Sequence, residues 1–226
     1  MAAAALLLVS CKGAPSPAND GGAQSSSGET IPFATLEQAA SDGNAGAQFT
    51  LGSIYLRGAG IPKNTEKGMA LLTKAALSGE SRAQCDLGTL FYEGKDVERN
   101  INLAVGWFKK SAANDNPRGQ YNLGVLYYNG EGVKKDLALA ESLFLKSAGQ
   151  GNSDAAFNLG VMHAKGEGMP INEKEAAAWF HVATEEGDKN AGAFLAPIAL
   201  KLSMEEKNQV EARTKELLGA IVKTEE

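Results

Sequence analysis

The chain has 226 residues, 43% of them hydrophobic and 22% charged, which is enough apolar material for a packed core and excludes a wholly disordered protein. With 22 Lys and Arg against 27 Asp and Glu the net charge is −5, so no general attraction to a polynucleotide or an anionic lipid surface exists, and a nucleic-acid partner is not expected. Twenty-six glycines beside only 7% aromatics mark a chain of closely packed helices and frequent tight turns.

Residues 1–11 are a short apolar run that ends in small residues at Cys11, too short for a membrane-spanning helix. Leu8-Val9-Ser10-Cys11 resembles the lipobox of bacterial lipoproteins, which implies a signal segment over 1–11 and Cys11 as the lipidated residue of the mature protein. The same resemblance implies a lipid-anchored protein of a bacterial cell envelope, at the outer membrane or facing the periplasm. Lys12 after the cysteine points the same way. Residues 12–30, rich in Ser, Gly, Pro and Ala, carry no apolar periodicity and read as a flexible linker behind the anchor. The second cysteine, Cys85, lies far along the chain, so no disulfide framework is expected and Cys85 reads as a small packed residue.

From residue 31 onward the sequence repeats itself every 36 residues. Leu-Gly recurs at Leu51-Gly52, Leu87-Gly88, Leu123-Gly124 and Leu159-Gly160, with Tyr55, Phe91, Tyr127 and His163 four residues after each leucine. Turn glycines Gly58, Gly94, Gly130 and Gly166 follow, then helix-capping Asn64, Asn100, Asp136 and Asn172. Each unit therefore predicts a helix A, a glycine turn and a helix B, with four units over 45–188. A capping helix opened by Pro32 is expected within 31–44. Over 189–226 the pattern predicts a degenerate helix A interrupted by Pro197 and a closing helix with a Ser203–Glu206 capping box, whose apolar face is Val210, Thr214, Leu217, Leu218 and Ile221.

The stretch from Gly119 through Leu123-Gly124 and Tyr127-Tyr128 to Val133 is close to the consensus of the Sel-one-like repeats, relatives of the tetratricopeptide repeats, and the match runs from 33 to about 218. The resemblance implies an all-α protein: an α/α solenoid, a right-handed superhelix of four helix-turn-helix repeats with capping helices at both ends, serving as a non-catalytic scaffold for a protein or peptide partner.

Sites for chemistry are scarce. His163 and His181 have no companion at metal-ligand spacing, so no metal and no cofactor is expected. The Gly-Glu-Gly turns at 130–132 and 166–168 lack the Lys and hydroxyl of a phosphate loop. Some cysteine-rich relatives are associated with penicillin binding and hydrolysis, which makes a cell-wall or β-lactam-binding protein the rival reading. No Ser-x-x-Lys occurs to support acyl-serine chemistry, and the paired cysteines of those relatives are absent.

By analogy with tetratricopeptide arrays, helix A lines a concave face. Phe49, Cys85, Tyr121 and Phe157 then form one row, Ser53, Thr89, Val125 and Val161 a second, and Leu56, Tyr92, Tyr128 and Ala164 a third. Arg57, Arg82 and Arg118, three of the five arginines, fall on the same face. Aromatics flanked by arginines suit a protein-binding groove for a segment of some acidic character, with Phe49, Arg57, Arg82, Tyr92, Arg118, Tyr121, Tyr128 and Phe157 as partner-binding residues. The plainer reading, that the tyrosines pack neighbouring repeats, is also open.

Overall fold

The computed structural model describes residues 22–24 and 30–221. Cys11, and with it the lipobox expectation, lies outside them. Within the stretch read as a linker, β1 (Gly22–Gln24) pairs antiparallel with β2 (Thr30–Pro32), Ala23 opposite Ile31. Everything else regular among the described residues is helical.

Helix α1 (Phe33–Ser41) opens at Pro32, where the missing N–H costs the helix nothing. Four helix pairs follow. The A helices are α2 (Ala45–Arg57), α4 (Ser81–Glu93), α6 (Pro117–Asn129) and α8 (Ser153–Lys165). The B helices are α3 (Thr65–Leu77), α5 (Ile101–Ala113), α7 (Leu137–Ala148) and α9 (Glu173–Glu185). Four tandem helix-turn-helix units are the architecture of an α/α solenoid, as expected from the period.

Local chemistry sets each boundary. At every B helix the side chain of Asn64, Asn100, Asp136 or Asn172 accepts a hydrogen bond from the N–H three residues on, at 2.9–3.1 Å. Three A helices have caps of the same kind, Asn44, Asn116 and Asn152. The fourth starts at Glu80, whose carboxylate accepts from the Arg82 N–H at 3.4 Å. Helices α2, α4 and α8 end at Gly58, Gly94 and Gly166 with φ of 69°, 66° and 70°, a left-handed conformation that a side chain would strain.

The described chain falls into two compact units, divided between Gly119 and Gln120. In the first, Leu36 and Ala40 of α1 pack on Ala47, Leu51 and Ile54 of α2, and Leu72, Ala75 and Ala76 of α3 pack with Phe49, Ala83 and Leu87. The glycine of Leu-Gly has a steric role here, because a Cβ on Gly88 would stand 2.6 Å from the fully buried Phe108 ring. In the second unit Phe144 and Phe180 lie on Gly124 and Gly160 in the same way, with 2.7 Å to the would-be Cβ. Each buried ring contributes about 1.5–3 kcal/mol, and only a glycine lets it lie that close to helix A.

The second unit closes as its sequence predicts. Helix α10 (Ala191–Ala199) holds Pro197 and stops after 9 residues, where the A helices run 13. Helix α11 (Met204–Ala220) begins with the reciprocal Ser203–Glu206 capping box. Its Val210 and Thr214 are buried, and Leu217, Leu218 and Ile221 rest on the core.

Candidate interaction surface on the A helices

In the first unit the three expected rows lie along α2 and α4. Phe49 is buried, and the Arg82 guanidinium lies 4.8 Å from its ring centroid while Arg82 Nε also donates to Glu80 at 2.8 Å. Tyr92 is half-buried, with Arg99 5.4 Å over its ring and Arg99 Nε donating to the Tyr92 carbonyl at 3.0 Å. Arg57 is exposed and Arg118 half-buried. Cys85, 1% exposed, is disulfide-bonded, which corrects its reading as a small residue outside any disulfide.

Between α2 and α4 lies a cavity of about 330 Å³. Ser53 and Thr89, both buried, line it together with Leu56, Arg57, Leu90 and Glu93. At one end Lys63 Nζ donates to Asp96 at 2.5 Å, joining the turns of the first two repeats. Thr89 Oγ1 donates to the Cys85 carbonyl, whereas Ser53 Oγ is buried without a hydrogen-bond partner.

In the second unit the two tyrosines are largely consumed by packing. Tyr121 is 3% exposed, its ring tilted on Phe144 at 5.7 Å and its phenol oxygen accepting from Asn158 Nδ2 at 3.2 Å. Tyr128 is 8% exposed and donates a short hydrogen bond to the Glu167 carboxylate, with Lys135 5.4 Å over its ring. Burial is the main reason that both phenols are held above their ordinary pKa. Phe49, Tyr121 and Tyr128 therefore keep little side chain for a partner, and at these positions the packing reading describes them.

Phe157 differs. It is half-buried and meets the edge of Phe194 at 4.9 Å, and Phe194 is 42% exposed on the degenerate helix α10. Sequence reasoning passed over Phe194, whose one available signal was a large aromatic just outside the four regular repeats.

His163 fills the aromatic slot of the fourth repeat, half-buried, with Nδ1 lacking a partner. Burial lowers its pKa against the opposing pull of Glu175 and Glu141, with Arg213 assisting. Among the described residues no group of three His, Cys, Asp or Glu converges as a metal site, and no helix is long and apolar enough to cross a membrane.

Comparison with known proteins locates the architecture. The Sel1 repeat model matches four consecutive segments, 45–80, 81–116, 117–152 and 153–188. A Sel1 repeat protein from Oxalobacter formigenes is 31% identical, with a TM-score of 0.68 over 75% of this chain and 51% of that one. The protein c5321, described as a protective antigen of uropathogenic Escherichia coli strains with an SLR fold, is 27% identical with a TM-score of 0.58, over 86% of this chain and 50% of that one. The chain thus spans about half the length of both. The immunity protein Pa5087 of Pseudomonas aeruginosa, 19% identical with a TM-score of 0.51, shares the fold over 84% of this chain and 75% of its own. No curated protein sequence matches. Four in-register repeats over 45–188, each capped and packed as its period requires, place the chain in the Sel1-repeat family.

Proposed function

We propose that this protein is a non-catalytic scaffold that binds a partner protein along the face of its A helices and is held in a bacterial envelope by a lipid on Cys11. The observation that carries the binding reading is the surface left over after packing: exposed Arg57 and Arg82 and half-buried Tyr92 on the A helices of the first unit, and Phe157 against exposed Phe194 in the second. Aromatic and arginine side chains with free surface are the groups that anchor protein interfaces.

In-cell photocrosslinking from positions 92 and 157, with exposed Ser142 on α7 as the control, tests the scaffold. A discrete protein captured from 92 or 157 and not from 142 is the expected result. Glycan adducts alone, or turnover of a chromogenic β-lactam that Arg57→Ala abolishes, would overturn it in favour of the cell-wall reading.

The anchor has its own test. A thioether-linked lipid and a disulfide cannot share one sulfur, and the chain has two cysteines, so a lipid on Cys11 and a disulfide at Cys85 within one chain exclude one another and the lipid reading requires Cys85 as a thiol in the mature protein. Fatty-acid labelling lost in Cys11→Ala, together with one titratable thiol in the denatured mature protein, is expected. No label and no thiol would refute the anchor.

A further inference from the structure

The cavity between α2 and α4 contains a side chain that the fold does not need in its present form. Ser53 is 2% exposed and its Oγ has no hydrogen-bond partner. Other hydroxyls of the first unit are satisfied: Thr50 donates to Gly46, Thr89 to Cys85 and Ser111 to Ser81. At the repeat position of Ser53 the second unit carries Val125 and Val161, both buried, so two methyl groups meet the packing requirement there. A buried hydroxyl without a partner is unfavourable, and its persistence at the wall of a cavity points to a partner outside the chain.

The charges around that hydroxyl indicate the partner's chemistry. Arg57 stands one turn beyond Ser53 on α2, and Lys95 follows the end of α4; both line the cavity, and neither has an ion pair or side-chain hydrogen bond among the described residues. Lys63 is already paired with Asp96, and Asp86, which also lines the cavity, has an interaction of its own. Glu93 is the one uncommitted carboxylate, so two free cations face one free anion. Leu56 and Leu90 supply apolar walls suited to a short methylene stem.

We propose that this cavity is a subsite for a carboxylate side chain borne on an extended acidic peptide segment of the partner. Ser53 and Arg57 donate to the carboxylate, and Lys95 adds charge at the rim. The proposal deepens the scaffold reading, on which it rests, by naming the chemistry that the first unit selects. A peptide is favoured over a free small acid because the cavity lies among A helices that also display Arg82 and Tyr92, along which a chain can continue.

The test is fluorescence anisotropy with labelled, C-terminally amidated hexaglutamate and the full chain. Saturable binding that weakens with salt is expected, despite the chain's net charge of −5. Arg57→Ala and Ser53→Ala should each weaken it about tenfold or more, the effect of losing one hydrogen bond to a charged group. Ser53→Ala should melt no lower than the parent, since it removes only an unpartnered hydroxyl; weaker binding without lost stability is a result that a purely structural serine would not produce. Absence of saturable binding, or binding indifferent to Ser53→Ala, overturns the subsite. Glutarate binding as tightly as the peptide overturns the choice of a peptide ligand. If crosslinking from Tyr92 captures a partner while hexaglutamate does not bind, the scaffold stands and the carboxylate subsite falls.

Discussion

A buried amide ladder runs through the first three repeats, ends at Ala156 in the fourth, and lacks one rung in the first, and supplying that rung should stabilise the first unit. Gln84 Nε2 donates to the Ala76 carbonyl at 2.9 Å, and its Oε1 accepts from Asn114 Nδ2 at 2.9 Å. One repeat later Gln120 Oε1 accepts from Gln150 Nε2 at the same distance. One repeat earlier Gln48 Nε2 donates to Ala40 at 3.0 Å, but its buried Oε1 has no partner. The residue in register with Asn114 and Gln150 is Ser78, whose hydroxyl sits on the Cβ and is too short to reach. The backbone is already suitable, with φ −78° and ψ 3° at Ser78 against −93° and 27° at Asn114.

Ser78→Asn should therefore supply the missing donor. A net hydrogen bond is worth about 1 kcal/mol, and relieving a buried orphan acceptor adds to that, while fixing one exposed side chain subtracts from it. A net gain of about 1 kcal/mol corresponds to a Tm rise of about 2–4 °C for a chain of this length. Calorimetry and urea titration of Ser78→Asn, Gln48→Met and the double variant measure it. The gain must vanish in the Gln48→Met background, because the coupling between the two residues is the claim. An equal rise in both backgrounds, or no rise in either, refutes the reasoning.

Two glycines of neighbouring helices should respond oppositely to a methyl group. Gly88→Ala forces the buried Phe108 ring aside and should cost about 1–3 kcal/mol, whereas Gly106→Ala, exposed on α5 with nothing within 4 Å of the new Cβ, should gain about 0.5–1 kcal/mol, both read by urea titration. His163 faces Glu141 of α7, Glu175 of α9 and Arg213 of α11, and its folded-state pKa is lowered mainly by burial. As pH falls below about 6.5 the unfolded chain protonates first, so this histidine's stabilising share is lost on acidification and complete above that pH; His163→Tyr should flatten the slope of stability between pH 7 and 5. Ser203→Ala breaks the capping box of α11 and should cost about 1 kcal/mol, seen as faster amide exchange in the first turn of that helix.

The fold was legible because every slot of the period has a local physical cause. A cap at Asn64, a turn at Gly58 and a Leu-Gly pair that admits an aromatic ring each constrain one residue type, and 36-residue recurrence turns weak local signals into a strong joint one. The A-helix caps at Asn44, Asn116 and Asn152 carried the same signal and went unread, obscured by Glu80 in the series. The candidate surface was legible only in outline. Spacing places Tyr121 and Tyr128 on one helix face, but how much of each ring remains exposed is decided by Asn158 and Glu167, 37 and 39 residues away. Period alone does not report such cover, since it aligns equivalent residues and is silent on what the next repeat lays over them. Nor did it reveal Phe194, which lies where the repeat has decayed, or the cavity beside Ser53, which depends on charges from two turns.

What distinguishes this protein within its architecture is then to be sought where its own repeats disagree. Phe108, Phe144 and Phe180 agree because each meets a glycine, so they report the fold. Ser53 and Thr89 against Val125 and Val161 disagree at a buried position, and the physics assigns each a sign. Val125→Ser would place a hydroxyl at a site 1% exposed and should cost about 1–3 kcal/mol, from lost packing and an unpartnered polar group. Ser53→Val at the equivalent position removes such a group, and should leave stability unchanged or raise it while abolishing hexaglutamate binding. If instead Ser53→Val destabilises the fold as much as Val125→Ser does, the hydroxyl has a structural partner in solution, and the difference between the repeats reflects packing rather than recognition.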